Sequence, residues 1–420
     1  MRFGIYGFSR TLITLLLGLV ASHALAADRG KLMIVGGALR SDNATVYREF
    51  IASIPAAFPD VAIVPAASGR PAHYAEAFRQ DMRLYGFAGQ VHVLPVAVKD
   101  DPETPEDESR WRRGAYDRAL VEQMERVGGV WFVGGDQTRI TNTLLDADGS
   151  DTPLLAAIRR QLERGAIVGG TSAGAAIMSG TMIAAGDSLS ALTQPPAARY
   201  TGMQSQESGQ LLLATGLGFM PTGIVDQHFD RKSRLGRLVR ALAPPLPEGE
   251  RRGFGIDEDT AILVDRNSGE MQVLGRGNLI LLDARRANFA KQKSHFGVDG
   301  IRLSVLSNGD SYNWKTGALR AAGGATVGNE AFAYQPQQGA GIALPNQRLD
   351  QLLGFSLLDN SDSRELRRYA FNETGRGVRF RFVQTDESRG FWRYGSGTKD
   401  QYSIGEVRLS VEPVTVQIKP

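Results

Sequence analysis

Short apolar runs closed by small residues, each followed by an amphipathic stretch, alternate about six times between positions 31 and 264. Lys31-Leu-Met-Ile-Val35 runs into Gly36-Gly37, Val61-Ala-Ile-Val64 into Pro65-Ala-Ala-Ser-Gly69, and Val130-Trp-Phe-Val133 into Gly134-Gly135. None of these runs alternates with polar residues, as expected of strands covered on both faces. A further strand is expected over 91–98. Between the runs, 46–54, 71–86, 111–127 and 152–164 read as helices. In the second of these Tyr74, Phe78, Met82 and Tyr85 recur on one side, and in the third Trp111, Ala115, Leu120, Met124 and Val127 do so. The alternation predicts an α/β fold, a mostly parallel sheet with helices on both faces.

The pattern then changes. Residues 272–282 are strand-like around Gly275 and Gly277, and 285–296 read as a polar bridge. From Gly300 onward period-two runs dominate, as in Ile301-Arg-Leu-Ser-Val305, Val378-Arg-Phe-Arg-Phe-Val383 and Val407-Arg-Leu-Ser-Val411, with Asn308-Gly309 as a hairpin turn. Only 347–359 reads as helical. An α/β domain over 27–285 and a C-terminal β-rich domain over 286–420 are therefore expected. Trp314, Phe332, Tyr334, Trp392 and Tyr394 supply the second domain with either a core or a binding face.

At the start, an apolar run over 11–20 follows Arg2 and Arg10, and Ala24-Leu25-Ala26 offers a small-x-small cleavage point. This predicts a signal peptide over 1–26. Its apolar core is shorter than a membrane span of ~20 residues, so export without stable membrane insertion is expected, to the medium or the periplasm. The chain has no cysteine, which excludes disulfides, thiolate metal sites and cysteine catalysis. A formal charge of +3 with no basic tract gives no case for nucleic-acid binding.

The chemistry centres on Ala166-Ile-Val-Gly-Gly-Thr-Ser-Ala-Gly-Ala-Ala176. Strand residues enter Gly170-Thr171-Ser172-Ala173-Gly174, and a small-residue, helix-compatible segment leaves it, which is the setting of a G-x-S-x-G nucleophile elbow. Only small residues fit beside such a serine, and the helix start beneath it offers N–H groups to developing negative charge.

A serine nucleophile needs a base. Of five histidines, His23 lies in the signal segment, His92 alternates on an apolar strand, and His73 precedes the elbow. His295 sits in a looser late region. His228 ends the apolar run Gly223-Ile-Val-Asp-Gln-His228, where a strand delivers groups to a functional edge, and is the preferred base. For the acid that orients it, Asp226 is too close in sequence for a good bond, and chemistry alone leaves Asp257 and Glu258 open. There is no H-E-x-x-H or other dense ligand cluster, so no metal or cofactor is expected.

Other polar stretches surround these groups. The Gly134-Gly135-Asp136-Gln137 turn can point N–H groups inward and present an amide. The acidic segment 99–108 reads as an exposed loop, and the polar segment 188–210 as a wall, a lid or a surface excursion. A basic helix is expected after His228, with Arg234 and Arg237 on one face and suited to carboxylates.

Gly134-Gly-Asp-Gln-Thr-Arg-Ile140, Gly169-Gly-Thr-Ser-Ala-Gly-Ala-Ala176, Asp226-Gln-His-Phe229 with Arg234 and Arg237, and Gly255-Ile-Asp-Glu-Asp-Thr-Ala261 occur in this order. Together they resemble the cyanophycinases, of the serine-peptidase family that also includes the aspartyl dipeptidases, over roughly residues 30–285. The resemblance implies a class I glutamine amidotransferase-like fold and a triad in the order Ser172, His228, Glu258, unlike the Ser…Asp/Glu…His order of α/β-hydrolases. It also implies oxyanion donors at Gly135 and Ala173, substrate contacts from Asp136, Gln137, Asp226, Gln227, Arg234 and Arg237, no cofactor, and a tendency to homodimers. Where this chain has Lys232 the family pattern has a further arginine. The implied substrate is cyanophycin, a polyaspartate bearing arginine on each β-carboxyl, released as β-Asp-Arg dipeptides. A dipeptidase for small Asp-containing peptides and a non-catalytic polymer-binding protein are the alternatives.

Overall fold

The computed structural model describes residues 30–290, 296–340, 348–395 and 399–417. The expected signal peptide, with His23, and the late His295 lie outside the described residues. What is described is a mixed α/β protein with a central sheet and a β-rich C-terminal region.

The central sheet has nine strands, and one side of it is parallel. Val91–Val93, Asp60–Val64, Val127–Phe132, Ile167–Thr171 and Lys31–Val35 lie side by side in that order, all running the same way. The sheet continues beyond Lys31–Val35 through Thr260–Asp265, Glu270–Gly275, Ser311–Asn313 and Leu319–Arg320, and these four pair antiparallel.

Successive residues of the parallel strands feed different cores. Leu32, Ile34, Ala62, Val64, Val130 and Phe132 pack with Ile140, Leu144, Leu155 and Ile158 of the helices Gln137–Leu144 and Pro153–Glu163. Met33, Val35, Val61, Ile63 and Trp131 pack with Tyr47, Phe50, Phe78 and Met82 of Ala44–Ala52 and Pro71–Leu84. Helices on both faces explain why the centres of the inner strands carry no alternating polar residues.

Two local expectations are corrected. The strand expected over 91–98 stops at Val93, and the helix expected over 111–127 is broken into Glu108–Tyr116 (3-10), Arg118–Gln123 and Met124–Arg126 (3-10). Pro95, with no N–H to donate, cannot extend the ladder, and the extended backbone of Asp117 (φ −71°, ψ 119°) divides the helix. Asp117 then restarts the helix, its carboxylate accepting from the Ala119 N–H at 2.8 Å.

A second sheet, of eleven strands, is built around the 16-residue strand Asp400–Thr415. This strand pairs antiparallel with Val298–Ser307, Arg376–Val383 and Arg389–Tyr394. At its far edge the sheet takes in Asn278–Asp283, Arg252–Ile256 and Ile224–Asp226. Of the C-terminal aromatics, Trp314 is buried in the first core, whereas Tyr394 is exposed. Among the described residues no helix is long and apolar enough to cross a membrane.

Candidate active site

Ser172 leaves its strand at φ 54° and ψ −109°, a left-handed conformation that costs a non-glycine residue strain. Packing holds it there. A Cβ on Gly170 would lie 2.6 Å from the Gly174 carbonyl oxygen, and one on Gly174 would overlap the Phe132 carbonyl. The Ser172 N–H donates to the Val35 carbonyl at 3.1 Å, which ties the elbow to the neighbouring parallel strand. Ala173–Ala176 follows as a single helical turn.

The Ser172 Oγ lies 2.9 Å from His228 Nε2, and His228 Nδ1 lies 2.6 Å from Glu258 Oε1. The serine and the histidine come from different sheets. Ile224–Asp226, which delivers His228, pairs parallel with Arg252–Ile256 in the second sheet, and the turn after Arg252–Ile256 delivers Glu258. The expectation that one parallel sheet delivers both groups is thereby corrected. The two sheets are joined where the His228 N–H donates to the Gly36 carbonyl at 2.6 Å and the Asp259 N–H to the Gly37 carbonyl at 2.9 Å.

Gly37 has a role that the sequence pattern did not single out. At φ 107° only glycine is comfortable, and a Cβ there would overlap the imidazole of His228. The strand-ending Gly36-Gly37 pair is therefore the floor under the histidine ring. The signal was visible in the sequence, but its partner was not.

The profile of peptidase family S51 matches residues 32–271. The chain belongs to that family. It is 31% identical over 303 residues to a cyanophycinase of Synechococcus elongatus, spanning 70% of this chain and 82% of the relative. A cyanophycinase of a Nostoc species is 30% identical over 295 residues, 68% of this chain and 86% of the relative. Among solved structures, a peptidase from an acI-B1 Actinobacterium covers 68% of this chain and 97% of its own at 21% identity, with a TM-score of 0.47. This S51 chain is thus a peptidase.

Burial lowers the pKa of His228 to about 4, and the charge of Lys232 pushes it the same way, while the bond to Glu258 opposes both. The imidazole is therefore neutral at neutral pH and able to accept a proton. Activity that needs this base is present above its pKa and lost as pH falls through it. We expect kcat/KM to be flat through neutral pH and to fall only toward about 4. Lys232→Met should move this acid limb to higher pH, because it removes a cation that disfavours imidazolium. A kcat/KM profile of both proteins checks this, and an unmoved limb would exclude Lys232 as a determinant.

Asp257 does not meet the histidine. It is buried and accepts from the Asp230 N–H at 3.1 Å and the Asn278 N–H at 2.9 Å, and burial pushes its carboxyl well above the usual range. Of the two neighbours left open by the sequence, Glu258 is the one in contact.

The polar groups around the histidine are largely committed to one another. Arg237 pairs with Asp226 through two bonds of 2.8 and 2.6 Å and also donates to the Gly186 and Gln206 carbonyls, and both side chains are almost fully buried. Asp226 and Arg237, both expected at the substrate, are thus bonded to each other in this structure. No basic helix follows His228 directly. The helix is Leu235–Ala241, and Arg234 stands at its start.

Arg234 donates to the Gln227 carbonyl at 2.6 Å and to the Gln227 side-chain amide, and pairs with Glu207 at 3.2 Å. Lys232 Nζ lies 2.5 Å from the same Glu207. Segment 188–210 thus packs against these groups through Ser188, Gln206 and Glu207.

Asp136 caps the helix Gln137–Leu144, accepting from the Thr138 N–H at 2.9 Å. The Gln137 amide nitrogen donates to the Ile183 and Ala184 carbonyls, while its buried Oε1 has no partner among the described residues. The Gly134-Gly135 turn does flank the nucleophile, since a Cβ on Gly134 would lie 3.3 Å from that of Ser172.

Proposed function

We propose that this peptidase is an exported cyanophycinase of serine type, cleaving multi-L-arginyl-poly-L-aspartate to β-Asp-Arg dipeptides. The observation that carries the chemistry is the continuous Ser172–His228–Glu258 bond path, with the serine held in a strained elbow. The substrate rests on the cyanophycinase relatives, which span most of the chain.

In this reading Ser172 Oγ attacks the scissile carbonyl carbon as its proton passes to His228 Nε2. Glu258 fixes the imidazole with Nδ1–H toward itself and stabilises the imidazolium. The oxyanion is met by the N–H groups of Gly135 and Ala173. His228 returns the proton to the leaving amine, and a water activated by the same ring then hydrolyses the acyl-enzyme. Each step balances within the triad, substrate and water.

Arg234 and Lys232 share Glu207, which is itself half-exposed. A substrate carboxylate displacing Glu207 from Arg234 would leave Glu207 for a guanidinium, which suits a polymer of aspartate and arginine. We read the fold as class I glutamine amidotransferase-like, with residues 27–285 catalytic and 286–420 accessory. Residues 1–26 we read as an export signal, which places the enzyme outside the cytoplasm.

The test is release of soluble dipeptide from purified cyanophycin by residues 27–420, followed by chromatography and mass analysis. β-Asp-Arg as the main product supports the reading. An untouched polymer combined with turnover of small Asp-containing peptides would overturn it in favour of a dipeptidase.

A further inference from the structure

A polar cleft of about 640 Å³ opens where the two sheets meet. Arg252, Asp283, Arg302 and Glu406 of the eleven-stranded sheet line one side, and Tyr312 of the nine-stranded sheet and Lys315, just beyond it, line the other. Arg252 begins the strand whose other end carries Asp257 and Glu258. At ~3.3 Å per residue, about 13 Å of strand separates it from Ile256. The cleft is therefore distinct from the site around Ser172.

Most charges in it are matched internally. Asp283 pairs with Arg285 at 2.7 Å and with Arg302 at 3.0 Å, and Arg302 also reaches Glu406 at 3.4 Å. Arg252 is the buried exception, while Arg286 and Lys315, which also line the cleft, have no ion pair among the described residues but are not buried. Arg252 is 7% exposed, its Nε is buried with no hydrogen-bond partner, and it has no ion pair among the described residues. A buried guanidinium without a counter-charge is costly, so an anion bound there would remove an existing penalty. Glu248, exposed at the rim of the same cleft, likewise has no ion pair among the described residues. A buried, unpaired Arg252 inside and the acidic Glu248 at the margin suit a ligand carrying both signs. Asp283 and Glu406, lining the same space, disfavour a simple dianion.

We propose that this cleft is a second binding site for a zwitterionic peptide, with a carboxylate on Arg252 and a guanidinium or ammonium group on Glu248. The choice of peptide rests on the proposed function, because a polymer of aspartate and arginine offers such units repeatedly. A site apart from the nucleophile would then retain the polymer between cleavages by raising its effective concentration.

The experiment is calorimetric titration of Ser172→Ala protein with aspartyl-arginine dipeptide, compared with Ser172→Ala/Arg252→Met. One binding event should vanish or weaken at least about tenfold in the second protein. Inorganic phosphate should compete poorly. Unchanged dipeptide binding in the double variant overturns the proposal, and so does phosphate binding more tightly than dipeptide. Melting temperature is the control. Methionine replaces an unpaired buried charge with an apolar chain and should leave it unchanged or raised, whereas a purely structural Arg252 would lower it and leave the titration alone. If wild-type protein does not cleave the polymer, the functional reading falls, and the titration still decides the cleft.

Discussion

Alanine at Ser172 is expected to abolish peptide hydrolysis, with a loss on the order of a million-fold in kcat, and to leave the protein folded. The loss is large because the hydroxyl is the only nucleophile on the bond path, and His228 without it can at best activate water in a poorly aligned position. Folding should survive because the elbow is held by its neighbours. Gly170 and Gly174 make the room, and the Ser172 N–H, which alanine keeps, binds the Val35 carbonyl. Active-site titration with a serine-directed fluorophosphonate, beside thermal melting, separates the two. Retention of more than about a tenth of wild-type kcat would move the nucleophile elsewhere.

Glu258→Gln is expected to cost on the order of ten-thousand-fold in kcat, whereas Asp257→Asn should change kcat no more than a few-fold. The two residues are adjacent, yet they face different environments. Glu258 lies 2.6 Å from His228 Nδ1, and an amide in its place no longer enforces the tautomer in which Nε2 accepts from serine. Asp257 is buried away from the histidine, one oxygen accepting from the Asp230 N–H and the other from the Asn278 N–H, so an asparagine there turns its NH2 against a donor. Its loss should therefore appear in the melting temperature. Steady-state kinetics of both variants on one soluble peptide give the answer. The reverse ranking would assign the acid to Asp257.

How much of this was legible without coordinates depended on how local the cause was. The parallel strands could be read because a strand covered on both faces carries no alternating polar residues at its centre, and the two cores show that demand directly. The elbow could be read because no residue larger than glycine fits at positions 170 and 174. His228 stood out by elimination and by its place at the end of an apolar run.

The rest was set by a break in the backbone and by side chains closing on each other. The run 111–127 has the apolar period of one helix, but Asp117 is extended and caps a new helix, and the run divides there. Arg237 and Asp226 look like substrate ligands in a motif, yet eleven positions apart they close on each other and leave the solvent.

The sequence by itself carried the elbow, one well-placed histidine and two adjacent acids, because these are local patterns of residue size and charge. Only the tertiary structure showed which acid contacts the histidine, that Arg237 closes on Asp226, and that serine and histidine meet across two sheets. Those outcomes depend on long-range packing and on the cost of burying a charge without its partner, and neither is written in the spacing of residues along the chain.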